Sequence, residues 1–449
     1  MKRIIICLFL LLFLGLVFSL PLEQMTEQEQ KQFNYLYPEN KNLISSVSTT
    51  SENEQMISLS IITNDKEQLL QKLNGQGELT NVLGGSFHNL IIEKSKAKNI
   101  LIDDSIKSFS LGTAESFLEY SNPTTNSTTF YNNSLTGGNA SICIVDSGIR
   151  TTHSAFSGKS FDNVTCSIYG YSDSYSHGTH VAGIAFSENI TYKGIAYGTT
   201  NIVNSKVTDN FGNFLCEIPN LEYCFTSNRT YPADVSNNSW GARNYACSPS
   251  LGVVADGTHT YSRYADALTT LYSKVIVFAA GNSGPDGGDS CSTRDENSLG
   301  IPADTYNVIT VASMDTLNSS DRNDDVVSDF SSRGPTFDNR KKPDITAPGS
   351  SNSLTNIGID STSYLSDVGY LTKQGTSMSA PHVTGAAGLI VGAFETNWLE
   401  TKALLINSAK DINSTGWDRY TGWGYLDLNQ AYYDGNNTLF DSLNKNNSK

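Results

Sequence analysis

The chain is poor in charge, in basic residues and in long apolar runs. Only 17% of its 449 residues are charged, which argues against disorder driven by charge. Lys and Arg number 30 against 45 Asp and Glu, so the chain lacks the basic surplus typical of nucleic-acid binders. Hydrophobic residues make up 38%, enough for folded cores but low for a protein with many membrane spans. The length then indicates about two or three domains.

The longest apolar run lies at the start of the chain. Lys2 and Arg3 precede an almost wholly apolar stretch over residues 4–18, which Ser19 follows. Such a pattern, with an apolar run shorter than about 20 residues, is typical of a cleaved secretory signal peptide. We expect residues 1–19 to be that signal and no later stretch to span a bilayer. The alternative is an uncleaved signal anchor.

Secretion also accounts for the odd number of cysteines. Cys7 of the seven lies in the signal, which leaves six in an oxidising compartment, and six allow many pairings. The expected location is the extracellular space or the lumen of a lysosome-like compartment. Asn-x-Ser/Thr sequons support this, although a chain rich in Asn, Ser and Thr also forms them by chance. They begin at Asn126, Asn132, Asn139, Asn163, Asn189, Asn228, Asn237, Asn318, Asn413, Asn436 and Asn446.

The first folded region follows a polar leader over residues 20–56. Strand-like and helical segments then alternate as β-α-β-(β)-α-β over residues 57–112, with the second helix at 94–102. This order is similar to a small ferredoxin-like α+β domain. Residues 113–138 are rich in Asn, Thr and Gly, and are predicted to be a linker.

Beyond residue 138 the pattern changes to short unbroken apolar runs, at 141–145, 275–280 and 308–312, with helical stretches between them. Such runs are typical of parallel strands buried on both faces. The alternation predicts an α/β domain with a parallel, doubly wound sheet over residues 139–434. The tail, 435–449, is mostly Asn, Ser and Lys and is expected to be disordered.

The turns and helix starts beside these runs carry chemically useful side chains. In chain order they are Asp146, His177, Asn282 and Ser377. Taken singly, each has an ordinary explanation such as a turn or an N-cap. Together they supply a nucleophile, a base, a carboxylate that orients the base and an oxyanion donor, the groups that acyl transfer needs.

Four segments resemble signatures of the subtilase family. Residues 144–149 (IVDSGI), 177–183 (HGTHVAG) and 375–383 (GTSMSAPHV) resemble its catalytic signatures, and residues 280–284 (AGNSG) resemble its oxyanion-hole turn. The order Asp, His, Ser is also that of subtilisin. The resemblance covers residues 139–434 and implies a secreted serine endopeptidase with a subtilisin-type fold.

The resemblance assigns roles to the four residues. Ser377 is expected to be the nucleophile, His177 the general base and then the general acid, and Asp146 the residue that orients the imidazole. The amide of Asn282 and the backbone N–H of Ser377 are expected to form the oxyanion hole.

The resemblance also suggests where a substrate binds. The segment Ser239, Trp240 and Gly241 aligns with the family's strand that pairs with an extended polypeptide. Gly281 is expected beside the substrate, and Gly300 at the base of the first specificity pocket, where glycine leaves room for a large apolar side chain. Because main-chain pairing selects little, broad specificity is expected.

The same resemblance implies a zymogen and no required cofactor. Residues 57–112 are similar, more weakly, to the family's inhibitory propeptide, so the chain's own prodomain is an expected partner and the linker is expected to contain the maturation site. The enzyme is expected to be a monomer. A structural calcium ion is possible but not indicated, since Ala155 stands where many subtilases have a ligand Asp. His177 and His180 lack the HExxH pattern of a zinc site.

Loop-stiffening disulfides are expected between Cys216 and Cys224 and between Cys247 and Cys291.

The sequence argues against two alternative functions. A catalytically dead subtilase is disfavoured because all four catalytic groups are present. A lipase or esterase would carry GxSxG and the order Ser, Asp, His, neither of which occurs around Ser377.

Overall fold

The chain divides into two compact units between Glu115 and Ser116. The signal peptide, most of the leader and the second predicted prodomain helix lie outside the residues that the structure describes. Among the described residues, no helix is long and apolar enough to cross a membrane. The computed structural model describes residues 56–63, 66–73, 77–83, 87–93, 106–112, 124–165, 170–241, 254–285, 295–350 and 357–446.

The first unit contains an antiparallel four-stranded sheet. Its elements are β1 (Met56–Thr63), α1 (Lys66–Leu73), β2 (Gly77–Leu83), β3 (Phe87–Glu93) and β4 (Ile106–Gly112). The strand order is β2-β3-β1-β4, so β1 pairs with both β3 and β4. Leu69 and Leu73, one turn apart on α1, are buried, as expected for an amphipathic helix.

The second unit is built around an eight-stranded sheet. Its strands are β5 (Ser141–Asp146), β6 (Ser160–Thr165), β7 (Asn201–Lys206), β8 (Val235–Asn238), β9 (Val275–Ala279), β10 (Ile309–Asp315), β11 (Val326–Val327) and β12 (Ile345–Ser350). They follow the order β11-β10-β9-β8-β5-β7-β6, and β12 also pairs with β10. The pairing is parallel except between β10 and β11. The predicted α/β class with a parallel sheet is confirmed.

A separate hairpin and a set of helices complete this unit. The hairpin pairs β13 (Ile359–Thr362) with β14 (Tyr370–Lys373). The helices are α2 (Thr128–Asn132), α3 (Gly178–Phe186), α4 (Glu217–Tyr223), α5 (Thr260–Tyr272), α6 (Thr376–Phe394), α7 (Trp398–Ser408) and α8 (Leu428–Asn446).

The sheet is buried on both faces. Along β5, Ile142 and Ile144 belong to one hydrophobic core, and Cys143 and Val145 belong to another. The first core also contains side chains of α3 and α6, and the second contains side chains of α4 and α5. Two apolar faces explain why the strands have unbroken apolar sequences instead of an alternating pattern.

The predicted linker over residues 113–138 is wrong from Thr124 onward. Thr124 and Thr125 are buried, and the carbonyl of Thr125 accepts a hydrogen bond from the N–H of Leu428 at 2.9 Å. Phe130 is fully buried against the rings of Phe394 and Tyr432. The ring of Phe130 thus packs this polar segment against α6 and α8, which composition does not reveal.

The predicted disordered tail, 435–449, is also wrong as far as Asn446. Helix α8 begins at Leu428, where Leu428 and Ala431 are fully buried, and it continues to Asn446. The buried first turns provide the helix nucleus that a polar sequence does not form by itself.

The predicted pair Cys216–Cys224 is wrong. Cys224 is bonded to Cys143 of β5, 81 positions earlier. Cys216 is disulfide-bonded as well. Cys247 and Cys291 lie outside the described residues. The observed bond joins β5 to the end of α4 within the second core, a contact that only the three-dimensional packing produces.

Candidate active site

The four predicted catalytic residues follow strands of one parallel sheet or begin helices packed on it. Asp146 is the last residue of β5, His177 precedes α3, and Ser377 is the second residue of α6. Asn282 follows β9 by three residues. These positions lie at the carboxyl ends of the strands, the edge at which ligands and catalytic groups gather in open α/β sheets.

Asp146 and His177 form a direct pair. The Nδ1 atom of His177 lies 2.8 Å from Oδ1 of Asp146, and the same oxygen accepts the N–H of Ser147 at 2.7 Å. Burial lowers the pKa of His177, but the charge and hydrogen bond of Asp146 more than offset this, so the pKa is raised. The pair therefore stabilises the protonated imidazole.

Gly178 allows this close approach. A Cβ atom on Gly178 would lie 2.2 Å from the carbonyl oxygen of Gly148 and 3.1 Å from Cβ of Asp146. Any side chain at this position would push α3 away from the turn that follows β5. The glycine of the HGTH segment is thus needed to bring His177 to Asp146.

Ser377 and Ser239 are joined by two hydrogen bonds. The hydroxyl of Ser377 donates to the carbonyl of Ser239 at 3.2 Å, and the hydroxyl of Ser239 donates to the carbonyl of Ser377 at 2.8 Å. The hydroxyl of Ser377 thus points to Ser239 and forms no hydrogen bond with the imidazole of His177. Catalytic hydrogen bonds are often unformed before a substrate binds.

Asn282 is held in one orientation by Thr376. Its Oδ1 atom accepts the backbone N–H and the hydroxyl of Thr376, both at 2.9 Å. The Nδ2 atom lies beside Gly375, 3.2 Å from where a Cβ would stand. A donor therefore faces the turn that precedes Ser377.

The predicted substrate glycines lie near one another. Gly281 has a φ of +106° and donates its N–H to the hydroxyl of Thr376 at 3.2 Å. A Cβ on Gly281 would lie 3.4 Å from the N atom of Gly300, and one on Gly241 would lie 3.0 Å from the carbonyl oxygen of Ile301. These contacts bring Gly241, Gly281 and Gly300 to one region beside the helix that carries Ser377.

The side chain of Trp240 is packed into the core. Its ring packs edge-on against Phe278, with centroids 5.2 Å apart, and belongs to the second core. The backbone of this segment, and not the indole, therefore remains for contact with a peptide.

Comparison with family models and curated proteins agrees with this geometry. Residues 137–424 match the model of the subtilase family. Serine protease AprX of Bacillus subtilis is 30% identical over 329 residues, which cover 69% of this chain and 68% of that protein. Subtilisin DY of Bacillus licheniformis is 30% identical over 303 residues, 66% of this chain and 91% of that protein. The alkaline extracellular protease of Yarrowia lipolytica is 34% identical over 252 residues, 54% and 46% of the two chains.

The chain belongs to the subtilase family. It is a serine-type endopeptidase, and the resemblance seen in the sequence is confirmed.

Two further histidines of the subtilase have structural contacts. Nε2 of His180 lies 2.9 Å from the carbonyl of Ile359 and 3.0 Å from that of Leu371, which ties α3 to the β13–β14 hairpin. Burial lowers the pKa of His180 to about 3. His382 contacts the carbonyl of Met378, and burial lowers its pKa to about 4. Among the described residues, no cluster of His, Cys, Asp or Glu could hold a metal ion.

Sequence reasoning missed three residues of this subtilase. Thr376 orients Asn282, and Asp173 accepts hydrogen bonds around His177, as described below. Lys373 ends β14 and lowers the pKa of His177 through its charge. A capping signal stands immediately before a helix, whereas Asp173 lies four positions before the N-cap His177, so no local signal marks either Asp173 or Lys373.

Proposed function

We propose that the chain cleaves peptide bonds through Ser377, His177 and Asp146 by way of an acyl-enzyme. The observation that carries this proposal is the 2.8 Å contact between Nδ1 of His177 and Oδ1 of Asp146. It leaves Nε2 as the ring nitrogen that can accept a proton. The charge and hydrogen bond of Asp146, which raise the pKa of His177, stabilise the imidazolium that forms when the serine is deprotonated.

The chemistry has two stages. The Ser377 hydroxyl turns from the Ser239 carbonyl, gives its proton to Nε2 of His177 and attacks the scissile carbonyl. The oxyanion accepts hydrogen bonds from Nδ2 of Asn282 and the N–H of Ser377, and His177 then protonates the leaving amine. Water, deprotonated by His177, hydrolyses the acyl-enzyme. The chain's own groups carry every step, so this proposal requires no cofactor.

The substrate is an extended polypeptide cleaved with broad specificity. The backbone at Ser239 and Gly241 pairs with it, and Gly300 leaves space for a large apolar side chain. Two carboxylates that shortly precede Gly300 in the sequence are paired: Asp295 with Arg333, and Glu296 with Arg419. This pairing supports the absence of a strict Arg or Lys requirement, and cleavage profiling with a peptide library would overturn it by revealing one.

The enzyme is secreted, or delivered to a lysosome-like lumen, as an autoinhibited zymogen. Residues 1–19 are removed as a signal, and the unit that contains β1 to β4 assists folding and inhibits the catalytic unit. The maturation cut lies upstream of Thr124, because Thr124 and Thr125 are buried in the catalytic unit. N-terminal sequencing of active protein tests this. Active enzyme beginning at Leu20 contradicts it.

Labelling with a serine-directed phosphonate tests the catalytic assignment. The wild type and Ser379→Ala are expected to react and lose activity in parallel. Ser379 is the matched control, because it lies one position beyond Met378, is buried, and its hydroxyl has no partner among the described residues. Ser377→Ala is expected to remain unlabelled and inactive, and labelling of this variant would refute the nucleophile.

A further inference from the structure

Asp173 lies four positions before His177 and accepts an unusual number of hydrogen bonds. Its Oδ1 atom accepts the hydroxyl of Ser147 and the backbone N–H groups of Tyr175 and Ser176, each at 2.9 Å. Its Oδ2 atom accepts the N–H of Thr179 at 3.0 Å and the hydroxyl of Thr179 at 2.7 Å. The residue is only 9% exposed, so its carboxylate is buried with its acceptor sites occupied.

Asp173 and its partner Ser147 together replace a missing helix cap. His177 is the N-cap of α3 but makes no side-chain capping hydrogen bond, since its imidazole faces Asp146. The N–H of Thr179 is satisfied by Asp173 instead, and the N–H of Gly178 donates to the hydroxyl of Ser147 at 2.8 Å. The negative carboxylate also lies at the positive end of the helix dipole.

The residue directly before His177 has a backbone conformation that needs support. Ser176 has a φ of +75°, a left-handed conformation that is unfavourable for a residue with a side chain. The hydrogen bond from its N–H to Asp173 holds this conformation. Asp173 thereby fixes the backbone on both sides of the catalytic histidine.

Ser147 connects Asp173 to the other member of the pair. Its hydroxyl donates to Asp173, while its backbone N–H donates to Oδ1 of Asp146 at 2.7 Å. A buried lysine fixes the opposite side of the Asp173 loop. Nζ of Lys206 donates to the carbonyl of Ser172 at 2.8 Å and to the hydroxyl of Ser174 at 3.1 Å.

We propose that Asp173 is a positioning residue for catalysis, holding the imidazole of His177 against Asp146 and adding negative charge beside it. The inference rests on the proposed function. The charged groups that act on His177 are Asp146 from β5, Asp173 from its own loop and Lys373 from β14, and His180 on α3 is coupled to it. Asp146 and Asp173 raise the pKa of His177, and Lys373 lowers it.

The test compares Asp173→Asn with Asp418→Asn. Asp418 is a matched control, because it is also 9% exposed and also accepts two backbone N–H groups and a threonine hydroxyl, from Tyr420 and Thr421. Asn at position 173 keeps the shape and loses the charge and one acceptor. For Asp173→Asn, kcat is expected to fall about 10- to 100-fold with KM little changed. In this variant the acidic limb of the pH profile of kcat/KM moves to lower pH, because loss of the negative charge lowers the pKa of His177. Asp418→Asn is expected to alter only the midpoint of thermal unfolding.

A second readout does not need catalysis. In the Ser377→Ala background, the imidazole of His177 is titrated by NMR, its signals being assigned by their loss in His177→Gln. Asp173→Asn is expected to lower this pKa and to broaden the Nδ1–H signal, and Asp418→Asn is expected to change neither. If the wild type hydrolyses no peptide while this titration still shifts, the proposed function fails and the positioning stands. If the wild type is active and Asp173→Asn matches Asp418→Asn in kcat, pH limb and titration, the positioning role is overturned.

Discussion

Oδ1 of Asn282 accepts both the backbone N–H and the hydroxyl of Thr376 at 2.9 Å, one residue before Ser377. The two hydrogen bonds decide which end of the amide is left to donate. They also link the turn after β9 to the first turn of α6. An oxyanion donor that is fixed before substrate binds needs no reorganisation during the reaction.

Asn282→Asp is therefore expected to slow turnover while leaving substrate binding nearly unchanged. Aspartate keeps an acceptor for both Thr376 donors but replaces the Nδ2 donor with a negatively charged oxygen. We expect kcat to fall by at least about 10²- to 10³-fold while KM changes little, as measured with a chromogenic peptide. Thr376→Val, which keeps Nδ2 and loses one orienting bond, is expected to lose less. A wild-type kcat for Asn282→Asp would exclude Asn282 from the oxyanion hole.

Asp146→Asn is expected to reduce kcat by about 10⁴-fold. The amide can still accept from Ser147, but it no longer supports the tautomer and charge that His177 needs. The triad acts as a unit, so adding Asp146→Asn to Ser377→Ala should cost almost nothing more. Steady-state rates of the two single variants and the double variant check this. Losses that multiply in the double variant would contradict a shared mechanism.

Lys373→Met is expected to move the acidic limb of the kcat/KM profile to higher pH. The enzyme gains activity as His177 loses its proton, and Lys373 lowers the pKa of His177, so removing the cation raises that pKa. The shift should shrink at high salt, because screening weakens the interaction. Lys341→Met is the control, since Lys341 lies over the ring of Trp423 and is not among the charges that act on His177. An unchanged limb in Lys373→Met would refute the coupling.

Lys342→Met is expected to lower the free energy of unfolding by about 3–5 kcal/mol and to leave kcat/KM per folded molecule unchanged. Nζ of Lys342 lies 2.5 Å from Oδ2 of buried Asp344, and Lys402 lies 3.2 Å from the other oxygen. Without Lys342, this carboxylate retains only the more distant cation. Chemical denaturation monitored by fluorescence measures the loss, with Lys341→Met as the neighbouring exposed control.

On the acidic side, the pH dependence of this loss follows from the sign of the Asp344 shift. Burial raises the pKa of Asp344, but Lys342 and Lys402 more than offset burial, so the pKa is lowered in the folded state. The stabilisation is therefore present above the ordinary carboxyl pKa and lost as the pH falls through the folded value. The difference between wild type and Lys342→Met should narrow in acid. A constant difference would show that Lys342 acts through packing alone.

The sequence predicted the catalytic unit well because its strands are short apolar runs buried on both faces. It predicted β5, β9 and β10 but missed others such as β6, in which three of six residues are exposed and the sequence is mostly polar. The predicted linker and tail were wrong because one buried ring, Phe130, and the apolar start of α8 outweigh the polar composition around them.

The sequence by itself determined the family, because the subtilase signatures are short motifs defined by residue type, and the proposed site residues Asp146, His177, Asn282 and Ser377 lie in them. Tertiary structure alone decided which groups surround them. Asp173 reaches Ser147 across 26 positions, and Cys224 reaches Cys143 across 81. Lys373 acts on His177 from a hairpin far along the chain. Such contacts depend on how strands and helices pack, and no local pattern of residues encodes them.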